Sequence, residues 1–480
     1  MAPGAAIGLR QVEGGEVLPA SIERLLAIEK ALLRRSRPSL CDAIGFGAPT
    51  QGVAPDIIID LTGEGQPIVG AARALRPLYA GSLSLAAGID CLMSGAAPHL
   101  ELEDAQSGSI VANALPSLEA ADGLIGALDA LFSRVIAMIE QAILSPTRSF
   151  ARQPARRADR LAPGAAPYLM RNLAHRGARA LYHLLCHSPH WRIGWRFLDG
   201  PGVMETGSLS GVRWNVLPEH GEGFAADPFP VEWGGECWLF YERLDYRDNK
   251  GRIFAQRFDA NGPINAPALA LETQWHLSYP FLIVDRDALY MVPEASVSGA
   301  VTIYRCVEFP TRWAPVGELL SGVEAADATI FEHGGRFWMM SVVRDGVGGY
   351  SDTLAIHRAP TLLGPWREHA RRPALIDARS ARPAGRVVER DGALWRPVQD
   401  CSRGYGKQLG LARIDRLDEE NFEQTLVSAI APGPAWPGDR LHTLNRWGRL
   451  ECIDGAILTP KNPWARRLAH RAIDRQSGII

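Results

Sequence analysis

Cysteine is scarce in this chain and follows no pattern. Seven occur among 480 residues (Cys41, Cys91, Cys186, Cys237, Cys306, Cys401 and Cys452), without a Cys-x-x-Cys pair or a Cys/His spacing suited to zinc. A zinc ribbon and a dense disulfide framework are thereby excluded, and the thiols read as those of a reducing compartment. Also missing is any run of about 18 apolar residues, the length a membrane-spanning helix needs. The opening stretch, MAPGAAIGLRQVEGGE, lacks the basic flank and apolar run of a secretory signal. Charge of one sign is lacking too: the net charge is −2, which gives no basic footprint for nucleic acid. The expectation is a soluble cytoplasmic protein with no nucleic-acid partner, too long for one ordinary core.

What is present divides the chain. Residues 1–145 alternate strand-like and helix-like segments. PDIIIDLTG (55–63) is a short β-branched run closed by Thr-Gly, as expected of a buried parallel strand. Residues 20–35 and 121–144 carry apolar side chains at helical spacing, so this part reads as an α/β domain of Rossmann-like type. Residues 146–198 are different: ten arginines face a single acid, Asp159, and Pro154, Pro163 and Pro167 mark a linker. It leads into an amphipathic helix over 168–187 with Leu169, Leu173, Leu181 and Leu184 on one side. Such a basic helix suits an anionic membrane surface. Packing across a neighbouring domain is preferred, because the stripe is short and has no tryptophan anchor.

Beyond residue 198 the helical period is lost and a repeat takes over. DPFPVEWGGECWLFYE from Asp227, YPFLIVDRDALYMVPE from Tyr279, DATIFEHGGRFWMMSV from Asp327, RPAGRVVERDGALWRPVQD from Arg382 and HTLNRWGRLECIDG from His442 align on their opening polar residue. The spacing is about fifty to sixty residues per copy. Each copy reads as strand, Gly or Asp-Gly turn, aromatic-rich strand, and in several a third strand. Such units cannot bury their faces alone, so radial stacking into a five-bladed β-propeller over 199–465 is predicted, with 466–480 as a tail.

In that architecture the polar openings converge on one mouth of a central channel. Asp227 and Asp327, with Glu242 or Glu294, resemble the acid set of glycoside chemistry, one carboxylate as base or nucleophile and another as acid. Asp227 is the candidate base, Asp327 the pKa-tuning carboxylate, and Glu294 or Glu242 the acid. Both glutamates stand at the same offset from their copies' first residues, so they should occupy equivalent places. Each has a plainer reading: Asp before Pro is a common turn device, and the glutamates could pair with arginines. His276, Tyr279, Arg382, Arg386, Asp400, Arg403 and His442 complete the candidate substrate-binding set, Asp400, Arg403 and Tyr405 belonging to the stretch DCSRGYG. Guanidinium groups suit phosphate or carboxylate, so a sugar, nucleotide sugar or phosphorylated glycoconjugate is the expected partner, against a structural Arg–Asp network linking the fourth and fifth copies. No metal spacing is visible among the carboxylates, and no cofactor or metal is expected.

The motifs ADPF, HLSYPF, MVPEAS, DATIFEHGGRFW, RPAGR and QDCSRGYG, between about Trp191 and Trp464, resemble the N-terminal domain of the glucosamine inositolphosphorylceramide transferase family. The resemblance implies a propeller similar to furanosidase-type glycoside hydrolases and leaves the reaction open. Asp227 matches that pattern's base and Asp327 its tuning acid, whereas Tyr279, Arg382 and His442 depart from it. PDIIIDLTG and AGIDCLMSGAAPHLELEDAQSGSIV (87–111) are similar to a formyltransferase-type domain. Its Asn-x-His segment is replaced by LRPLYAGS (75–82), and its Asp-x-Gly by Gln106-Ser107-Gly108. Without those groups formyl transfer is not expected. Two functional classes stay open: a carbohydrate-active or carbohydrate-recognising propeller performing glycosyl transfer or hydrolysis, and a non-enzymatic docking platform.

Overall fold

The computed structural model describes residues 16–33, 38–42, 55–65, 73–144, 149–152, 164–219 and 222–476. They fall into two compact units, Met1–Ala178 with Asp345–Gly349, and Arg179–Arg344 with Tyr350–Ile480. Most of the proline- and arginine-rich linker, including Pro154, Asp159 and Pro163, lies outside the described residues.

In the first unit the helices are Ala20–Leu33 (α1), Leu85–Ser94 (α2) and Gly123–Leu144 (α3), and Ala165–Leu185 (α4) begins in it. Strands Ile57–Ile59 (β1), Arg73–Tyr79 (β2), Leu100–Asp104 (β3) and Ser109–Ala114 (β4) form one sheet in sequential order. The expected strand is found and pairs in parallel with β2, but it is not buried: Ile57 and Ile58 are half-buried and Ile59 is exposed. The pairs β2–β3 and β3–β4 are antiparallel. Among the described residues this is a small mixed sheet with helices, which does not by itself make the Rossmann-like domain expected from the sequence. The physical reason is local: Gln106–Gly108 forms a tight turn, with Gly108 at φ 68° and Asp104 accepting the amides of Gln106 and Ser107, and so folds β4 back on β3.

The second unit is all-antiparallel and contains five sheets. Its first two strands, Cys186–Phe197 (β5) and Asn215–Val216 (β6), flank a short helix, Val203–Thr206 (α5). Then come Gly223–Trp233 (β7), Glu236–Asp245 (β8), Lys250–Asp259 (β9) and Gly262–Leu271 (β10) as one sheet. Ser278–Asp285 (β11), Ala288–Glu294 (β12), Ala300–Glu308 (β13) and Arg312–Ser321 (β14) make the next. The third comprises Ala325–His333 (β15), Arg336–Val343 (β16), Thr353–Ala359 (β17), Arg367–Glu368 (β18) and Leu375–Ile376 (β19). Val388–Arg390 (β20), Ala393–Asp400 (β21), Gln408–Leu417 (β22) and Phe422–Ile430 (β23) form the fourth. Leu444–Trp447 (β24) and Leu450–Pro460 (β25) need β5 and β6 to complete the fifth, in the order β24, β25, β5, β6. The last element among the described residues is the helix Pro463–Gln476 (α6).

Two corrections follow. Residues 186–197, read with the linker, are a strand of the last sheet: Cys452 faces Trp195 and Ala456 faces Trp191 across the β25–β5 pair. Arginines at 192 and 196 gave this strand the look of a linker, yet both are buried and paired, Arg196 with Glu451 and Arg192 with Asp474. Much of the segment read as a tail is α6. The turns are as the glycines indicated: Gly234-Gly235, Gly334-Gly335 and Asp391-Gly392 all have positive φ, as a two-residue hairpin loop requires.

Candidate functional site

Three of the polar residues that open the repeats sit on bulges inside strands, whereas Arg382 and His442 precede theirs. Asp227, Tyr279 and Asp327 have φ of 52°, 42° and 54°, left-handed values uncommon for residues other than glycine. At each, the pairing skips by one residue, from Ala226↔Glu242 to Phe229↔Phe240, from Ser278↔Glu294 to Phe281↔Val292, and from Ala326↔Val342 to Thr329↔Met340. A bulge releases a backbone amide from the ladder and re-aims the side chain. Two of these amides are taken by carboxylates of the preceding sheet: Asp227 N–H donates to Asp454 Oδ2 at 2.8 Å, and Tyr279 N–H to Asp227 Oδ2 at 3.1 Å. Each left-handed residue costs on the order of 1 kcal/mol, which these bonds offset.

The same groups join all five sheets in a ring. The Tyr279 hydroxyl is 2.8 Å from Thr329 Oγ1 in the third, and Arg382 Nε donates to Asp327 Oδ2 at 2.7 Å from the fourth. Leu444 N–H meets Ala384 O at 2.8 Å, and Asn445 Nδ2 donates to Pro228 O at 3.0 Å, closing fourth to fifth and fifth to first. Gly385 permits the approach, since a Cβ there would lie 2.0 Å from Leu444 O. This ring is the architecture of a β-propeller, with its polar residues turned to the centre.

Three ionic clusters occupy that centre. In the first, His442 lies between two aspartates, with Nδ1 2.7 Å from Asp454 Oδ1 and Nε2 3.8 Å from Asp227 Oδ1. Trp191 stacks on its ring at 3.7 Å, and Tyr405 meets it edge-on at 5.6 Å. Asp227 Oδ1 also accepts the Thr443 hydroxyl at 2.7 Å. Burial pushes Asp227 up to about 7, with His442 opposing and the carboxylates Asp454, Glu242 and Asp327 adding to the rise. Burial opposes the charged imidazole of His442, but Asp454 and Asp227 outweigh it and hold the ring up to about 9. These three residues place ligand atoms within 4.8 Å of one another, close enough to hold a cation. Hydrogen bonds join the set: Asp454 accepts from His442 Nδ1 and from the Asp227 and Thr443 amides, and Asp227 from the Thr443 hydroxyl and the Tyr279 amide.

The second cluster is Asp327, Arg382 and Glu294. Asp327 Oδ2 accepts from Arg382 and from Gln399 Nε2 at 2.9 Å; Arg382 also donates to Tyr350 O, lies 3.7 Å from Glu294 and stands over the Tyr405 ring at 4.8 Å. Burial drives Asp327 up to about 7; Arg382 opposes this and the adjoining Glu294 reinforces it. In the third cluster His276 Nδ1 accepts the Gly251 amide at 3.0 Å, which leaves the ring proton on Nε2, facing Glu242 Oε1 at 3.2 Å. Burial opposes a charged His276, but Glu242 raises it. The imidazole is 39% exposed and its glutamate 7%, so His276 is the accessible edge of the pair.

The structure thus brings together Asp227, Glu242, His276, Tyr279, Glu294, Asp327, Arg382 and His442. The two glutamates do occupy equivalent registers, opposite the residue preceding each bulge. Arg382 joins the fourth sheet to the third, not to the fifth, and its contacts make it the neutraliser of Asp327 and Glu294. Three residues play other parts. Asp400 accepts from Ser402 and Gln408 and fixes its own turn; Arg403 is exposed; Arg386 lies among Phe229, Phe281 and Trp447 at 5.9, 5.1 and 5.1 Å, with burial pulling it down to about 10. Sequence reasoning missed Asp454, Thr443, Trp191 and Gln399. The signal for Asp454 was there, an acid inside the otherwise apolar run CIDGAIL.

A propeller with a carboxylate-rich centre is the class this fold and site define. Residues 217–450 match the family model described as Glucosamine inositolphosphorylceramide transferase 1, N-terminal, the resemblance that the motifs indicated. The glucosamine inositolphosphorylceramide transferase 1 of Arabidopsis thaliana is 32% identical over 228 residues, covering 46% of this chain and 30% of the relative. The protein of that name from Oryza sativa subsp. indica is 31% identical over 232 residues, 46% of this chain and 31% of its own. The chain therefore spans under a third of the length of these relatives. Among solved structures, the RS223 β-xylosidase is similar at TM-score 0.37 and 11% identity, covering 50% of this chain and 95% of that one. The catalytic domain of the Coprinopsis cinerea GH62 α-L-arabinofuranosidase gives 0.38 and 14%, covering 50% and 91%.

Proposed function

We propose that the second unit, its five sheets taken as five blades, recognises a sugar or sugar conjugate at its centre and carries out glycosyl chemistry there, by transfer or hydrolysis. The observation that supports this most is the pair of buried aspartates, one in each of two neighbouring clusters, raised to about 7. A carboxyl group poised near neutrality can take or give a proton at the pH of use. Asp227 serves as base: it takes the proton of the attacking hydroxyl, of water in hydrolysis or of an acceptor sugar in transfer. Tyr279 N–H and Thr443 hold its oxygens in place. Glu294 or Glu242 gives a proton to the leaving oxygen, and Asp327 with Arg382 sets the field around it. His276, as the accessible edge, meets the substrate. The first unit is taken as a formyltransferase-like scaffold without formyl transfer, and the free thiols favour action in the cytoplasm.

The test is a thermal-shift screen of the wild type beside Asp227→Asn against nucleotide sugars, phosphorylated sugars and neutral oligosaccharides. A ligand that binds the folded state raises the midpoint. A shift in the wild type that changes in the variant supports the reading; no shift with any class, from folded protein, overturns it. The docking-platform reading keeps one observation in its favour, the tie of both Asp327 and Glu294 to Arg382.

A further inference from the structure

The helix α6 presents two different faces. Its inner one is anchored: Asp474 pairs with Arg192 at 2.6 Å, Arg466 with Glu222 at 3.1 Å, and His470 Nε2 lies 3.0 Å from Thr459 Oγ1. Its outer stripe consists of Trp464, Arg467, Leu468, Arg471, Ala472 and Arg475, all exposed. Trp464 is 72% exposed and Leu468 47%, which leaves a large aromatic ring in water between arginines. Asp474 is the one acid of this helix, and it faces inward.

The last turns of α4 meet the start of this helix. Lys461 N–H donates to Leu185 O at 2.9 Å, and Lys461 Nζ to His183 O at 2.7 Å. Leu181, Leu184 and Leu185 are exposed there by 57%, 69% and 57%, and Arg179 adds another cation with no acid between 179 and 185. The tryptophan anchor missing from the α4 sequence is supplied by Trp464, nearly three hundred residues later in the chain.

We propose that α6 and the end of α4 form a seat for an anionic lipid surface. Tryptophan and leucine enter the headgroup boundary while the arginines meet the lipid phosphates. A second copy of the chain is a poorer occupant, because like faces would set arginine against arginine with no acid to neutralise them. Among the described residues no helix is long and apolar enough to cross a membrane, so the contact is one of surface attachment. The inference is independent of any chemistry at the propeller centre.

The test is co-sedimentation of the full chain with vesicles of phosphatidylcholine alone and of phosphatidylcholine mixed with phosphatidylglycerol, at low and high salt. Binding is expected to the mixed vesicles only and to weaken with salt. The triple variant Arg467→Glu/Arg471→Glu/Arg475→Glu should bind about a hundredfold more weakly, at about fivefold per arginine. Trp464→Ala, which leaves the inner face untouched, should lose about tenfold. A thermal melt of each variant checks the fold. Failure of the wild type to bind mixed vesicles, equal binding by both variants, preference for RNA over vesicles in competition, or a dimer in solution dispersed by Leu468→Glu would each overturn the proposal.

Discussion

Asp60 of the first unit and the buried Asp227 and Asp327 of the second are held in opposite ways. In the first, Asp60 has partners of its own: Thr62 donates to it through both amide and hydroxyl, and Arg76 Nε through a 2.8 Å bond. Burial opposes ionisation, but those partners prevail and hold Asp60 below its ordinary range. Glu16 is likewise lowered against burial, by Ser84 and the first amides of α2. In the second unit burial first, and then neighbouring carboxylates, raise Asp227 and Asp327 to about 7. Where donors outweigh burial a carboxyl group stays charged; where burial and neighbouring acids outweigh the donors, as at Asp227 and Asp327, it is left able to exchange a proton.

The largest break in that contrast is Arg382→Met. It strips Asp327 and Glu294 of their cation and should cost about 3–5 kcal/mol in denaturant unfolding if Asp327 stays ionised. A loss much below that would mean Asp327 takes up a proton in the folded variant. Next comes pH. His442 is raised from 6.5 to about 9 on folding, so its stabilisation is complete below pH 6.5 and is lost as pH climbs through 9. His442→Gln should therefore melt closest to the wild type above pH 9 and fall furthest behind below pH 6.5, in thermal scans across that range. Asp60 has the reverse sign: its lowered value stabilises above about pH 4 and is lost in acid. Asp60→Asn should cost about 1 kcal/mol at neutral pH and nothing once the wild-type carboxyl is protonated, measured by acid titration of the melting midpoint. The smallest effect belongs to Arg403→Ala. Exposed and outside the central ring, it should change stability by under about 0.5 kcal/mol and leave any ligand-induced thermal shift unchanged.

Much of the second unit was legible because a repeat writes its own alignment. Asp227, Tyr279 and Asp327 line up in sequence and in space, and Glu242 with Glu294 follow from the same register. The bulges were not legible: a left-handed aspartate leaves no mark in composition, and polar residues at a strand's edge look the same as polar residues on a kink. Nor was the closing strand β5, whose arginines suggested a linker until Glu451 and Asp474 were found opposite them. Asp454 escaped for a related reason, its partners Asp227 and His442 being on other strands.

Sequence by itself determined the repeat, the hairpin turns and the family resemblance of the second unit. These depend on periodicity and on residue types at short range, which are local properties. Only the tertiary structure decided which acids crowd together, that Arg382 neutralises neighbours at the centre, and that Trp464 stands where α4 ends. Each of those rests on distances between residues far apart in the chain, and burial and Coulomb energy depend on such distances, not on order along the sequence.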